Sequence, residues 1–278
     1  MTILRKYTAI PFFALFVTTS VAAADSISVV SFGGQYATSQ IEAYHKPFQE
    51  KAGVDVHSID YNGGLAEVRA QVESGNVTWD VLDVESQDLE LGCSQGLFER
   101  LDLADLPDGT DGSAAKEDFI PGTLHDCGVG VIVWSNIMAY NTSKFPGEKP
   151  SKVEDFFDLE RFPGKRGISR RPIYTLEWAL MADGVPVDKV YETLSTQEGI
   201  DRAFAKLDTI KDAIVVFEAG AQAPQLLADG EVSISSAFNG RIYSAIVDEN
   251  QPLAIMWDSQ IWNLDFFAIP KEHLIKVL

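Results

Sequence analysis

The residues best suited to do chemistry lie in the segment 230–270, where two strand-like runs end at polar or charged residues among aromatic ones. The sequence Phe238-Asn239-Gly240-Arg241 closes the first run, and Trp262 and Asp265 stand at the second. A carboxylate that opens a run as apolar as DFFAIP needs a partner, because burial of an unpaired charge is costly or forces protonation. An acid surrounded by aromatic side chains suits an organic cation. The segment alone leaves open whether Asp265 binds such a cation, caps a turn or pairs with a surface lysine.

Catalytic motifs are missing from the sequence. The 4 histidines are scattered, no Gly-x-Ser-x-Gly elbow offers an activated nucleophile, and no Gly-x-x-x-x-Gly-Lys-Ser/Thr loop could hold a nucleotide phosphate. Gly128-x-Gly130 lacks the third glycine of a dinucleotide fingerprint. Acid pairs such as Asp80 and Asp83 could do acid–base work, but among 41 acidic residues such pairs arise by chance. We therefore expect a protein that is not an enzyme and uses no cofactor.

The first 24 residues are typical of an export signal. Arg5 and Lys6 precede an apolar stretch over residues 9–17, and small residues follow at 21–24, where a signal peptidase cuts. The apolar stretch is too short to cross a membrane as a helix. We expect cleavage after Ala24 and a periplasmic product.

The chain is strongly acidic, with a formal net charge of −19 at pH 7. Nucleic acids and anionic membrane surfaces attract patches of lysine and arginine, so this charge argues against both as partners. It is compatible with a cationic or zwitterionic ligand and equally with a merely well-solvated surface. The net charge therefore argues against nucleic acids and anionic membranes as partners, but it does not identify the ligand.

The 2 cysteines, Cys93 and Cys127, both follow the leader. An even pair in an oxidising compartment predicts a disulfide, with free thiols as the alternative. A zinc site is disfavoured, because two cysteines are too few ligands and only His125 stands near either of them. We expect no bound metal.

Strand and helix patterns alternate along the chain, which predicts an α/β fold around a mostly parallel sheet. Apolar runs at 27–32, 54–59 and 81–84 predict the first strands, and a helix pattern with apolar residues at 41, 44 and 48 follows the first of them.

The long apolar run from 128 to 141 is a candidate for a crossing between lobes, and the segment 265–270 is a candidate for a second crossing that returns to the first lobe. We expect lobe 1 at residues 25–133, rejoined by 265–278, and lobe 2 at residues 134–264. Lobes joined by strands imply hinged closure on something bound between them.

Four motifs, in their order along the chain, resemble the periplasmic solute-binding proteins of ABC importers, in the branch of the spermidine/putrescine receptors. They are the Gly-Gly-Gln-Tyr loop ending at Tyr36, WDVLDVES ending at Ser86, GEVSISSAFNG ending at Gly240, and DFFAIP starting at Asp265. The resemblance covers essentially all of the chain after the leader. It implies a two-lobed receptor that closes on its ligand and delivers it to an inner-membrane permease without catalysis.

The resemblance also implies ligand contacts. In polyamine receptors, aromatic side chains sandwich the methylene chain and acids pair with the ammonium groups. The cleft residues that the resemblance implies here are Tyr36, Ser86, Phe238, Trp262 and Asp265, with Asp265 as the partner of an ammonium group. Trp134 is a further pocket candidate, and for both Trp134 and Phe238 core packing is the alternative.

The stretch GISRRPIY at 167–174 departs from the family, because polyamine receptors carry acids where this chain has Arg171 and Tyr174. A guanidinium suits a carboxylate, which it can grip through two parallel hydrogen bonds. With Asp265 for an amine and Arg171 for a carboxylate, the cleft fits a zwitterion such as an amino acid or γ-aminobutyrate. The alternatives for Arg171 are a surface cation or an internal partner of Asp265.

These observations predict the periplasmic substrate-binding component of an ABC importer, acting as a monomer on a small amine-bearing solute. We expect a zwitterion rather than a polyamine. A secreted two-lobed enzyme and a ligand receptor for a signalling partner are the alternatives. Family members continue past the position of Leu278, so we expect the final helices of the fold to be missing.

Overall fold

The computed structural model describes residues 26–272, and both the predicted leader and residues 273–278 lie outside this range. The strands are β1 (Ser26–Ser31), β2 (Asp55–Asp60), β3 (Val81–Glu85), β4 (Leu124–His125), β5 (Gly128–Asn141), β6 (Arg166–Ser169), β7 (Ile214–Phe217), β8 (Ile234–Phe238) and β9 (Leu253–Ala268). The α-helices are α1 (Gly34–Gln40), α2 (Lys46–Ala52), α3 (Ala66–Ser74), α4 (Ser86–Ser94), α5 (Ala115–Asp118), α6 (Val153–Phe157), α7 (Thr175–Ala182), α8 (Val190–Leu194), α9 (Gln197–Asp208), α10 (Gln222–Ala228) and α11 (Asn239–Val247). A π-helical turn, Ile41–His45, joins α1 to α2.

The strands form a mixed sheet in the order β2-β1-β3-β9-β5-β8-β6-β7, with β4 paired to β5. Parallel pairing occurs towards the two edges, between β1 and its neighbours and between β6 and its neighbours. The centre is antiparallel, because β9 pairs with both β3 and β5, and β5 also pairs with β8. The α/β class is confirmed. The expectation of a mostly parallel sheet is wrong, since the long β5 and β9 run in opposite directions side by side.

Strand alternation explains why side chains of the two long strands pack in different hydrophobic cores. Successive side chains of a strand point to opposite faces, so Ile137 and Ala139 of β5 pack in one core while Met138 and Tyr140 pack in another. At the far end of β9, Phe266 belongs to a third core that also holds side chains of β1, β3, α3 and α4. Helices therefore cover the sheet at both ends of the β5–β9 pair.

The predicted disulfide is confirmed. Cys93 of α4 and Cys127, just before β5, are bonded, with their Cα atoms 5.9 Å apart. The bridge ties α4 to the start of the first long strand. It therefore fixes the helix that begins at Ser86, directly after the strand that carries Asp83 and Glu85.

Candidate functional site

A cavity of about 370 Å³ lies between residues from both ends of the sheet. Its walls come from the β1–α1 loop, helix α1, the β2–α3 loop, the ends of β3, β6, β7 and β8, the middle of β5, the loops after β6 and β7, the first half of α11 and Asp265 of β9. The ends of several strands thus meet at this cavity, as is usual for binding sites of α/β proteins.

Five of the eight predicted site residues line this cavity: Tyr36, Trp134, Arg171, Phe238 and Asp265. Trp134 is the centre of an aromatic wall, with its ring 5.0 Å from that of Phe238 and nearly perpendicular to it. Such edge-to-face pairs are a favourable arrangement of aromatic rings. The cavity therefore has one preformed apolar wall along which a short methylene chain could lie.

Ser86 and Tyr174 lie behind this wall rather than in it. The Ser86 hydroxyl donates to Oδ1 of Asn263, and the amide of Asn263 donates to the Tyr174 hydroxyl at 3.2 Å. Tyr174 in turn presents its ring to Trp134 with the centroids 5.7 Å apart. Both residues are in a position to support the cavity without lining it.

Trp262 does not line the cavity and is 67% exposed. The reason is strand alternation: Trp134 pairs with Asn263 and Ile132 with Asp265, while Trp262 pairs with Ser135. Asn263 and Asp265 therefore share one face of β9, and Trp262 lies on the other. Adjacent residues of a strand point to opposite faces of the sheet, so a difference of one position along β9 turns a side chain from the cavity side to the exposed side.

Asp265 is 4% exposed and accepts a hydrogen bond from the indole nitrogen of Trp134 at 2.7 Å. Burial raises the pKa of this carboxyl well above its usual range, and the nearby charge of Asp83 adds to the effect. The Trp134 bond lowers the pKa without overcoming burial. Among residues 26–272, no basic side chain lies within 4.0 Å of the Asp265 carboxyl, which faces the cavity, and Arg171 acts on it only from a greater distance.

Glu85 is an acid of the cavity wall to which the sequence analysis gave no role. It lies opposite Asp265 in the β3–β9 pair and accepts a hydrogen bond from Nη1 of Arg171 at 2.8 Å. A second acid, Asp88, lies 3.6 Å from Nη2 of the same guanidinium. Burial raises the pKa of Glu85, and the Arg171 charge opposes the rise. Arg171 therefore has two internal acidic partners, neither of which is Asp265.

Arg241, the third residue of α11, is a cation of the cavity with no assigned role in the sequence analysis. Its Nη2 donates to the backbone carbonyls of Phe32, at 2.8 Å, and Gly33, at 3.1 Å. Among residues 26–272, no carboxylate lies within 4.0 Å of its guanidinium, and neither Nε nor Nη1 donates a hydrogen bond. Burial lowers its pKa. Arg241 thus retains free donors beside the cavity.

The start of α11 adds to the positive potential near Arg241. Phe238 is the residue before the helix and supplies no side-chain cap, and Asn239 and Gly240 line the cavity with it. The first backbone N–H groups of a helix carry partial positive charge and attract anions. A signal for this feature exists in the sequence, where an apolar strand runs directly into Asn-Gly-Arg, but it requires knowledge that a helix begins there.

A larger cavity of about 690 Å³ adjoins the first and shares Gln35 and Arg241 with it. Its lining comes from α1, β2, α10 and α11, and it contains no aromatic side chain. The smaller cavity has the aromatic wall and the buried acids, so we take it as the candidate binding site.

Metal ligands do not assemble in that cavity. In the described part of the chain, the group of histidine, cysteine and acidic side chains close enough to hold a metal ion is Cys93, His125 and Cys127, within 4.8 Å of one another. Both thiols are consumed by the disulfide, which leaves His125 as the remaining ligand of the group. Between residues 26 and 272, no helix combines the length and apolar character needed to cross a bilayer.

Comparison with known proteins matches residues 43–273 to a family model described as bacterial extracellular solute-binding protein. The γ-aminobutyric acid-binding protein of Pseudomonas aeruginosa is 45% identical over 257 residues, which are 92% of this chain and 70% of that protein. The periplasmic binding protein MotA of Agrobacterium tumefaciens B6, solved with glucopine, has a TM-score of 0.80 at 35% identity over 88% of this chain and 73% of its own. The Atu4243 GABA receptor has a TM-score of 0.74 at 32% identity, covering 90% and 74% of the two chains.

Proposed function

This chain belongs to the bacterial extracellular solute-binding proteins, the substrate-binding components of ABC importers, and we propose that its ligand is a small zwitterion such as γ-aminobutyrate. The family assignment makes a small solute its ligand and a membrane permease its partner. The finer identity of the ligand rests on the cavity.

The observation that carries the proposal is the separation of charge across one small cavity. Asp265 and its neighbouring acids lie at the β3–β9 side, and Arg241 and the start of α11 lie at the other. A buried carboxylate without a cation favours an ammonium group, and a guanidinium with free donors favours a carboxylate. The aromatic wall of Trp134 and Phe238 suits the methylene groups between the two charges.

Arg241 is our first candidate for the ligand carboxylate. Arg171, the residue that the sequence analysis assigns to this role, remains a second candidate, since it also lines the cavity. The contacts favour Arg241, because a ligand carboxylate at Arg171 would compete with Glu85 and with Asp88 for the same guanidinium. Both assignments can be tested with the same ligands.

Several finer features belong to the same proposal. We expect cleavage after Ala24, lobes at 25–133 with 265–278 and at 134–264, and a monomer that performs no catalysis and binds no nucleic acid. The lobe boundaries are supported by the position of Trp134 in β5 and of Asp265 in β9, where β9 begins to pair with β3. The relatives named above are binding proteins, which supports a non-catalytic role.

Calorimetric titration tests the proposed ligand class. We expect γ-aminobutyrate or another zwitterion to bind more tightly than putrescine and spermidine, and Asp265→Asn to abolish measurable binding of each. Glu177→Gln is the matched control, because Glu177 is a buried acid of α7 outside the cavity lining. Tight binding of spermidine, with no heat of binding from any carboxylate-bearing ligand, would contradict the proposed zwitterion and indicate that the ligand is a polyamine.

A further inference from the structure

Three acids share one face of the β3–β9 pair. Glu85 is directly opposite Asp265, and Asp83 is opposite Phe267. Residues two apart in a strand point to the same side, so the side chains of Asp83, Glu85 and Asp265 emerge together. All three are buried. The opposite face of the pair carries Leu82, Val84 and Phe266, which are core residues.

The three acids differ in their partners. Glu85 is hydrogen-bonded to the cation Arg171. In the described part of the chain, the partners of Asp83 are neutral: the Gln40 amide at 2.6 Å and the Ser31 hydroxyl at 2.9 Å donate to Oδ2, and the Tyr36 hydroxyl also interacts with the carboxyl. Its other oxygen, Oδ1, is buried without a well-formed hydrogen bond to any residue in the 26–272 range. Asp265 likewise has a neutral donor, the Trp134 indole.

Several titratable groups act on Asp83 and Asp265, either directly or through Glu85. They are Tyr36 of α1, Tyr61 after β2, Glu85 of β3, Asp88 of α4, Arg171 after β6 and Tyr174 before α7. The single cation in this group is already bonded to Glu85. Burial raises the pKa of Asp83 to about 6, even though its hydrogen bonds lower it. The pKa of Asp265 is raised by burial and by Asp83.

Two buried carboxyl groups with no cation between them do not both ionise readily, and their protons leave in steps that belong to the pair. We infer that Asp83 is a positioning residue that keeps one shared proton on itself and Asp265 in the empty cavity, so that capture of an ammonium group expels that proton. The ammonium keeps its own protons and supplies the missing positive charge, and the carboxyl proton passes to solvent. This inference rests on the proposed function.

The coupling has a defined sign. Below the midpoint of the shared proton, each unit of pH costs the ligand up to about tenfold in affinity, because one proton must leave for each ligand bound. Above the midpoint the affinity becomes independent of pH. A zwitterion such as γ-aminobutyrate titrates well outside pH 5 to 8, so the slope reports the protein and not the ligand.

Calorimetry of γ-aminobutyrate binding between pH 5 and 8, in buffers of different ionisation enthalpy, counts the protons released. For the parent protein we expect release that approaches one proton at the acidic end and vanishes at the alkaline end. In Asp83→Asn, Asp265 loses its like-charged neighbour, so the release moves to lower pH. In Gln40→Leu, ionised Asp83 loses a donor, so the release moves to higher pH. Glu177→Gln, a buried acid elsewhere, leaves the profile unchanged.

Opposite displacements in the two variants distinguish the coupling from a general loss of structure. A binding enthalpy of the parent protein that is independent of buffer at every pH would overturn the inference, whether or not either variant folds. So would an Asp83→Asn profile that coincides with that of the parent. If the parent protein binds no amine or zwitterion at any pH, the proposed ligand class fails, and the inference fails with it.

Discussion

Substitution of Arg241 by glutamine tests which cation receives the ligand carboxylate. The guanidinium has no acidic partner within 4.0 Å among residues 26–272 and donates only to two backbone carbonyls. Loss of one member of a buried charge pair costs about 2 to 5 kcal/mol. Because Arg241 is partly exposed, we expect the lower part of that range, about 2 to 3 kcal/mol, which is roughly 30- to 150-fold in Kd.

The assay compares two ligands in each variant by calorimetry. γ-Aminobutyrate has both charges, whereas n-butylamine has a methyl group where the carboxylate would be. The ratio of their dissociation constants isolates the carboxylate contribution, because a change in lobe closure affects both ligands alike. We expect the parent protein to favour γ-aminobutyrate by about the factor above, and Arg241→Gln to reduce the ratio to within a few-fold of one.

Two further variants make the outcome decisive. Arg171→Gln should keep the parent ratio, because Arg171 is engaged with Glu85. Arg202→Gln, an arginine paired with Asp183 away from the cavity, is the matched control and should change neither ligand. A ratio that survives in Arg241→Gln and collapses in Arg171→Gln would refute the reasoning and return the carboxylate to Arg171.

Three further outcomes can be checked by equilibrium unfolding. Arg171→Gln should lower the free energy of unfolding by about 3 kcal/mol, because Glu85 is left buried and unpaired, and Glu85→Gln in the same chain should recover much of the loss. Replacement of both Cys93 and Cys127 by serine should cost about 3 to 4 kcal/mol, since the bridge closes a loop with a sequence separation of 34. The pKa of Asp83 is raised on folding, so its ionisation destabilises the folded state as pH rises from about 4 to above 6; Asp83→Asn should remove on the order of 3 kcal/mol of that decline. The first expectation is contradicted if the variant with both Arg171→Gln and Glu85→Gln is no more stable than Arg171→Gln alone. The second is contradicted if the unfolding midpoint is unchanged without the disulfide. The third is contradicted if the free energy of unfolding of Asp83→Asn falls as steeply with pH as that of the parent protein.

The α/β class, the disulfide and the place of Asp265 could be predicted from local pattern. Alternation of strand and helix signals gives the class, and an even pair of cysteines after an export signal gives the bridge. Asp265 stands out because a carboxylate before FFAIP has no partner nearby in sequence. Each of these inferences needs only neighbours along the chain.

The position of Trp262 could not be predicted from local sequence pattern. Its face depends on the register between β9 and β5, which contains two irregularities, and the sequence does not display that register. The same holds for the direction of β9, which turns the centre of the sheet antiparallel. Resemblance placed the tryptophan near the cleft, but a residue one position away in a strand lies on the opposite face.

The sequence by itself determined that an acid among aromatics stands at the end of an apolar run, and that the chain has the alternating pattern of an α/β receptor. Only the tertiary structure decided which charges meet. In the folded chain, Arg171 forms an ion pair with Glu85. Among residues 26–272, Arg241 keeps unused hydrogen-bond donors at the start of α11. Pairing of β3 with β9 places Asp83 and Asp265 on the same face of the sheet. The physical reason is that charge interactions depend on distance and burial, and residues far apart in sequence acquire both only when strands pair and loops meet.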